Sequence, residues 1–218
     1  MICRESRAHI LLLSALLVVG VGCSTAYYSF WEALGREKRD LLRSNVESVQ
    51  DEQEAAADHF ESALDRLREL TSVEAGDLEK VYDKIDADYE EAAERAGEIS
   101  ERIDTIDDIA DDLFAEWEDE IGQISSARLK AKSRQKLAEA RQNYAGLESS
   151  LRAAEASMDP VLTHLRDTAL YLKHNLNAAE IGGLSAEVAT IESDIEALLA
   201  DMRSSIAEAE RFLSTLPG

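Results

Sequence analysis

A heptad repeat of apolar and small residues constrains this chain more than any other feature of its sequence. From position 78 these residues are spaced alternately four and three apart, for more than five heptads without a slip. Such a repeat places one narrow seam along a long helix, which is the pattern of coiled-coil packing. The seam consists of Leu78, Tyr82, Ile85, Tyr89, Ala92, Ala96, Ile99, Ile103, Ile106, Ala110, Leu113 and Trp117.

The same spacing recurs in three further segments, which begin at Leu42, Leu137 and Leu184. With only 10 glycines and 2 prolines the chain has few turn residues, and the glycines near 76, 122 and 182 mark the boundaries. Short connections require antiparallel neighbours. We therefore predict an all-α fold, an elongated antiparallel four-helix coiled-coil bundle over residues 36–218, with helices at about 36–74, 77–121, 125–176 and 183–215.

The pair Asp159-Pro160 is the one internal interruption of the third predicted helix. Proline removes a backbone hydrogen bond and clashes with the preceding turn, so it kinks or divides a helix. Because the heptad spacing continues across this pair, we expect a kink near Pro160 and not a full break.

The first 22 residues have the features of a lipoprotein signal peptide. Arg4 and Arg7 precede an apolar stretch, residues 10–21, which is shorter than the roughly 20 residues that a membrane-spanning helix needs. Small residues then lead to Cys23, whose thiol can accept a diacylglycerol. We predict a signal peptide at 1–22 and lipidation at Cys23, in the bacterial cell envelope, at the outer membrane facing the periplasm. An ordinary secretory signal and an uncleaved anchor are the alternatives.

An aromatic cluster follows this cysteine within residues 23–35, the predicted membrane-proximal segment. It consists of Tyr27, Tyr28, Phe30 and Trp31. Tyrosine and tryptophan favour the interface between lipid headgroups and water. The cluster is therefore expected either to hold the base of the bundle at the membrane or to pack on the end of the bundle itself.

The net charge of −22 argues against a nucleic-acid partner, because a phosphate backbone requires a basic footprint. The charge is unevenly distributed. Residues 77–120 hold nineteen acids and four bases, whereas residues 125–141 hold six bases and Glu139 as their one acid. An antiparallel turn at Gly122 would lay this basic run beside the acidic residues 104–120 and help to fix which helices pair.

No catalytic residue and no cofactor are predicted. Clustered carboxylates between 104 and 120 suit hard cations such as Ca²⁺, but no EF-hand spacing occurs, so we favour a solvated face and predict no metal site. A di-iron bundle needs Glu-x-x-His on two helices. Ala56, Val161 and Tyr171 stand three residues before His59, His164 and His174, which excludes that pattern. No small-molecule substrate is evident.

The segment Tyr171 to Ala178 is the candidate partner-binding site. Its hydrogen-bonding groups cluster within two turns, just before the glycines at 182 and 183, where the topology places the end distal to the membrane. The candidate residues are Tyr171, Lys173, His174, Asn175 and Asn177. The alternative is helix capping, since Lys and His suit a helix C-terminus and Asn tolerates the left-handed conformation that ends a helix.

Several motifs together resemble the bacterial Domain of Unknown Function 2959 family. They are Cys-x-x-Ala-Tyr-Tyr-Ser at 23–29, Gly-Arg-Glu-Lys-Arg-Asp at 35–40, Gly-Asp-Leu-Glu-Lys-Val-Tyr-Asp at 76–83, Met-Asp-Pro-Val at 158–161 and Tyr-Leu-Lys-His-Asn-Leu-Asn-Ala at 171–178. The resemblance covers essentially the whole chain after the signal segment. It implies a proteobacterial envelope protein, and it implies no activity, substrate or catalytic residue.

These observations favour a non-enzymatic, lipid-anchored envelope protein that acts as a helical scaffold, spacer or protein-interaction module. An envelope protein or a second copy of the chain would be its partner. A lipid-surface-binding or membrane-organising helical protein is the alternative, although the acidic second helix lacks the basic or apolar face that lying on a bilayer requires. An acidic cation-binding protein is a third hypothesis.

Overall fold

The computed structural model describes residues 22–70, 78–175 and 185–216, and within these ranges every element is helical. Helix α1 spans Gly22–Leu70, α2 spans Leu78–Gln123, α3 spans Ala127–His174 and α4 spans Ser185–Thr215. The described ranges contain no strand. For the described ranges, the predicted all-helical class with four helices is therefore confirmed.

Helix α1 begins at Gly22, whereas the sequence placed the start of the helical body at about residue 36. Gly35 does not interrupt the helix, because one glycine costs only about 1 kcal/mol in a helix interior and good helix formers flank it. The chain divides into two compact units, residues 1–40 and 41–218. In the first unit the described residues, 22–40, are helical; the second contains the rest of α1 together with α2, α3 and α4.

Contacts in the second unit show that its helices run antiparallel. Glu52 on α1 contacts Arg102 on α2, and further along α1, Arg66 contacts Asp88, so the numbering rises on one helix as it falls on the other. The other neighbours obey the same inverse order. The contacts are Trp117–Ser133 and Ser100–Glu155 for α2 and α3, Ser157–Asp201 and His164–Asp194 for α3 and α4, and Gln50–Ile206 and Arg68–Glu192 for α1 and α4. In this unit each helix therefore contacts the next one along the chain, and α4 contacts α1.

The core of this unit consists of the heptad seams of all four helices. Ile99, Ile103 and Ile106 on α2 are fully buried, as are Leu147 and Leu151 on α3. Burying one such side chain contributes about 1.5–3 kcal/mol. The aromatic seam residues of α2 are only partly buried and pack at the edge of this core; they are Tyr82, Tyr89 and Trp117.

Helix α3 continues through Pro160. Proline leaves the carbonyl of the residue four positions earlier, here Ala156, without its helical donor. Both Pro160 and Ala156 are exposed, so that carbonyl can be hydrated. A break at this position is therefore absent, and the expected kink stays a prediction.

Candidate interaction surfaces

Cys23, Tyr27, Tyr28, Phe30 and Trp31 all belong to the helical backbone of α1. Their side chains lie outside the described part of the structure, as do residues 1–21 of the predicted signal peptide at 1–22. Lipidation and membrane contact therefore stay predictions. Among the helices in the described ranges, none combines the length and the apolar character needed to cross a bilayer.

The predicted partner segment lies at the C-terminal end of α3. Lys173 and His174 are exposed, whereas Tyr171 is half-buried and packs against the core. Asn177 lies outside the described residues. The described part of this segment therefore offers two exposed side chains to a partner.

Asn175 ends α3 by bonding to the preceding turn. Its backbone N–H donates to the Leu172 carbonyl at 3.1 Å, and its side-chain amide donates to the Tyr171 carbonyl at 2.9 Å. Its φ of −131° and ψ of 44° lie outside the left-handed region. Asn175 therefore ends α3 without the left-handed conformation that asparagine tolerates, and its side-chain amide satisfies one of the last helical carbonyls.

Arg152 is the centre of an ionic network between α2 and α3. Its guanidinium lies 2.7 Å from Asp104, 2.9 Å from Glu155 and in hydrogen-bond contact with Asp107. Hydrogen bonds to Glu155 and Asp104 raise the pKa of Arg152 further above its usual value. Exposed pairs contribute only about 0–1 kcal/mol each, so the network contributes chiefly to the choice of register between the two helices.

Tyr144 links three helices at one level of the core. Its hydroxyl donates to Asp107 on α2, and its ring makes edge contacts with Phe114 on α2 at 5.7 Å and Phe212 on α4 at 5.8 Å. Burial and the hydrogen bond to Asp107 raise the pKa of Tyr144 well above its ordinary value. A buried aromatic ring with its hydroxyl satisfied suits a packing role.

The basic run at the start of α3 pairs with α2 only in part. Arg141 contacts Glu118 at 2.8 Å, and the Lys130 ammonium donates to the Gly122 carbonyl at 2.9 Å. Lys136 instead pairs with Glu139 on its own helix. Three further bases of the run are exposed and form no ion pair with any residue that the structure describes; they are Arg128, Lys132 and Arg134.

The carboxylates considered as cation ligands are partly engaged in these pairs. Asp104 and Asp107 contact Arg152, and Glu118 contacts Arg141. Two of the histidines form interhelical pairs, His59 with Glu91 at 3.3 Å and His164 with Asp194 at 2.9 Å. Over the described ranges, no group of three or more His, Cys, Asp or Glu side chains has a metal-binding arrangement.

A groove of about 530 Å³ separates part of α2 from part of α3. Ala96, Gly97 and Ser100 line it on α2, and a Cβ built at Gly97 would meet no atom within 4 Å. The Ser100 hydroxyl crosses the groove to donate to Glu155. Because the α2 side chains that line it are small, they leave this groove unfilled. Ala96 belongs to the predicted seam of α2, whereas Gly97 and Ser100 were not predicted to line a surface feature.

Two polar residues at heptad seam positions are buried in the core. Gln53 on α1 is 1% exposed, and Ser205 on α4 is fully buried. Neither side chain has a hydrogen-bond partner among the described residues. Because Gln50 bonds to the Ile206 carbonyl, Gln53 and Ser205 lie within about one turn of each other across α1 and α4. They form a polar layer in a core whose other described buried polar residues are Asn45 and Thr168.

In the second unit, the described parts of four helices pack antiparallel around an apolar core, and its described surfaces present ion pairs, a groove and helix ends. A family model described as "Protein of unknown function (DUF2959)" matches residues 27–216, so the chain belongs to that family. Neither the search of curated proteins nor the search of solved structures gave a match.

Proposed function

We propose that this chain is a non-enzymatic, lipid-anchored protein of the bacterial cell envelope that acts as a helical scaffold or spacer. In this proposal residues 1–22 are a signal peptide, Cys23 carries the lipid, and the four helices form an elongated antiparallel coiled-coil bundle. The distal end of that bundle binds an envelope protein.

The continuous core of the second unit is the observation that carries this proposal. Buried residues occupy the seam of α2 from Ile85 to Ile121 and the seam of α3 from Leu137 to Leu172. At 1.5 Å per residue, the 46 residues of α2 extend about 69 Å. A core filled along such a length holds the two ends of the unit at a fixed separation, which suits a spacer.

The proposed anchor is tested by replacing Cys23 with serine. We expect cells that produce Cys23→Ser to lose both incorporation of a palmitate analogue and retention of the chain in the membrane fraction. The matched control is Cys3→Ser, which removes the other cysteine and should leave both intact. If label and membrane retention persist in Cys23→Ser, the chain is not a lipoprotein.

The partner surface is tested by in vivo crosslinking of the anchored chain, followed by purification and identification of the attached proteins. Lys173 and His174 are exposed, so Lys173→Ala with His174→Ala should remove a partner bound at this end without changing the melting temperature. The control pair is Lys136→Ala with Arg211→Ala, two exposed bases far from this end of α3. If both pairs retain every crosslinked protein, the end of α3 is not the partner site.

A further inference from the structure

The start of α3 is a basic surface on an otherwise acidic chain. The chain has 45 acidic residues, yet none lies between residues 121 and 138. The same interval holds five bases. Arg128, Lys132 and Arg134 are exposed and unpaired within the described residues, and Leu129 beside them is 57% exposed. We call these four residues the α3 entry patch.

The stability of its own helix does not explain Arg128, the base of the entry patch that lies in the first turn of α3. The N-terminal end of a helix carries partial positive charge, so a base in the first turn is unfavourable by about 0.3–1 kcal/mol. Helix α3 has no acid in its first turn and begins with Ser126 as its N-cap. Exposed bases at the other end of α3, such as Lys173, do suit the helix dipole.

The topology of the second unit places the entry patch at the end where the chain enters. Helix α1 enters the unit at Leu41, and Asn45 one turn later contacts Arg102 on α2. From Arg102, α2 runs on towards Gln123, opposite to the direction of α1, and the connection to α3 follows. The entry patch therefore lies at the end of the unit from which α1 leads back towards the proposed anchor at Cys23.

We propose that the α3 entry patch contacts the anionic phospholipid headgroups of the membrane that holds the lipid anchor. This inference rests on the proposed lipid anchor. The three charges of the entry patch lie within about 11 Å of the start of α3, at 1.5 Å per residue along the helix. Screening at physiological ionic strength acts over about 8 Å, so Arg128 and Lys132 act on a surface that the end of α3 touches, and Arg134, about 11 Å along the helix, acts on it more weakly. Leu129 supplies an apolar side chain for the interfacial region.

The experiment measures how close each end of the unit lies to lipid headgroups. The full chain, carrying Cys3→Ser, is purified from membranes and reconstituted into phosphatidylcholine vesicles with or without phosphatidylglycerol. A fluorophore is attached at Ser125→Cys, beside the entry patch, or at Ala186→Cys, an exposed position at the other end of the unit. Headgroup-nitroxide lipid then quenches a fluorophore that lies near the surface.

The variant Arg128→Gln, Lys132→Gln and Arg134→Gln removes the charges of the entry patch. The matched control, Lys80→Gln, Lys84→Gln and Arg166→Gln, removes three exposed bases towards the opposite end and gives the same net charge. Each base near an anionic surface strengthens attraction about fivefold. We expect quenching at position 125 that requires phosphatidylglycerol, is lost in the patch variant and at high salt, and persists in the control.

Three results would overturn the inference. The first is equal quenching at positions 125 and 186, and the second is quenching at position 125 that the patch variant retains. The third is a fluorophore at position 125 that is shielded from solvent without vesicles, together with a crosslinked dimer, which would make the patch an interface between copies of the chain. A failure of the lipid anchor is seen separately. In that case the chain lacks acyl mass at Cys23 and does not float with the vesicles.

Discussion

Replacing Gln53 with leucine should stabilise the fold. The side chain is 1% exposed, and neither its amide nitrogen nor its amide oxygen has a partner among the described residues. A buried polar group without a partner costs about 1–3 kcal/mol, whereas leucine of similar size contributes apolar burial at the same position. We expect Gln53→Leu to raise the free energy of unfolding by about 2 kcal/mol.

The measurement is urea and thermal unfolding of the purified chain, followed by circular dichroism at the helical minimum. For a domain of about 150–250 residues, 1 kcal/mol shifts the melting temperature by about 2–4 °C, so the expected rise is about 4–8 °C. Gln142→Leu is the matched control, because Gln142 is exposed. Surface substitutions usually change stability by less than about 0.5 kcal/mol.

A loss of stability in Gln53→Leu would refute this reasoning, because it would mean that the amide is satisfied in solution. Buried waters commonly satisfy such groups, and Ser205 lies close enough to share one. A double-mutant cycle with Ser205→Ala separates the two cases. Coupling of about 1 kcal/mol between the positions would indicate a water-bridged pair, and additive effects would indicate two independent unpaired groups.

Three further predictions concern stability. Ile103→Asp places an unpaired charge at a fully buried position and should lower the melting temperature by more than about 6 °C or prevent folding; a change below about 2 °C would mean that the seam is misplaced. Burial raises the pKa of Tyr144, so the folded state holds its proton more tightly, and stability falls as the pH rises above the unfolded value of 10.0. Tyr144→Phe should weaken this alkaline loss of stability in melting curves recorded across pH 8–11, and an unchanged slope would contradict the assignment. Asn175→Ala removes the hydrogen bond from the side-chain amide to the Tyr171 carbonyl and should lower the free energy of unfolding in urea by about 1 kcal/mol, while every crosslinked partner is retained. Loss of a partner at unchanged stability would instead make Asn175 a contact residue.

The helices and their seams could be predicted from the sequence because heptad periodicity and burial are tied by helix geometry. Every residue of the α2 series from Ala92 to Leu113 is buried in the structure. Glycine predicted the helix boundaries less reliably. Gly122 lies next to the end of α2, whereas Gly35 is inside α1, because one glycine costs too little to stop a helix that its neighbours favour.

The ion pairs could not be predicted from charge composition alone, because pairing depends on the face that each base occupies. At about 100° per residue, Arg141 and Arg152 lie about 40° and 60° from Leu137, next to the seam, and both pair with α2. Arg128 and Lys132 lie about 180° and 140° from Leu137. Among the described residues, the predicted pairing of the basic run with the acids of α2 therefore holds for Arg141 and fails for these two residues. It also fails for Arg134, which lies about 60° from Leu137 like Arg152, so the face alone does not decide pairing.

The buried polar layer bears on why this chain has a single register. Four heptad seams of Leu, Ile and Ala can slide past one another by seven residues with most of their apolar contacts preserved. A buried polar residue makes such a shift costly, because it would move Gln53 away from Ser205 and against apolar side chains. The Arg152 network resists the same shift between α2 and α3. Gln53→Leu should therefore raise the free energy of unfolding while removing one of the features that select the register. We expect this more stable variant also to form misaligned or domain-swapped dimers.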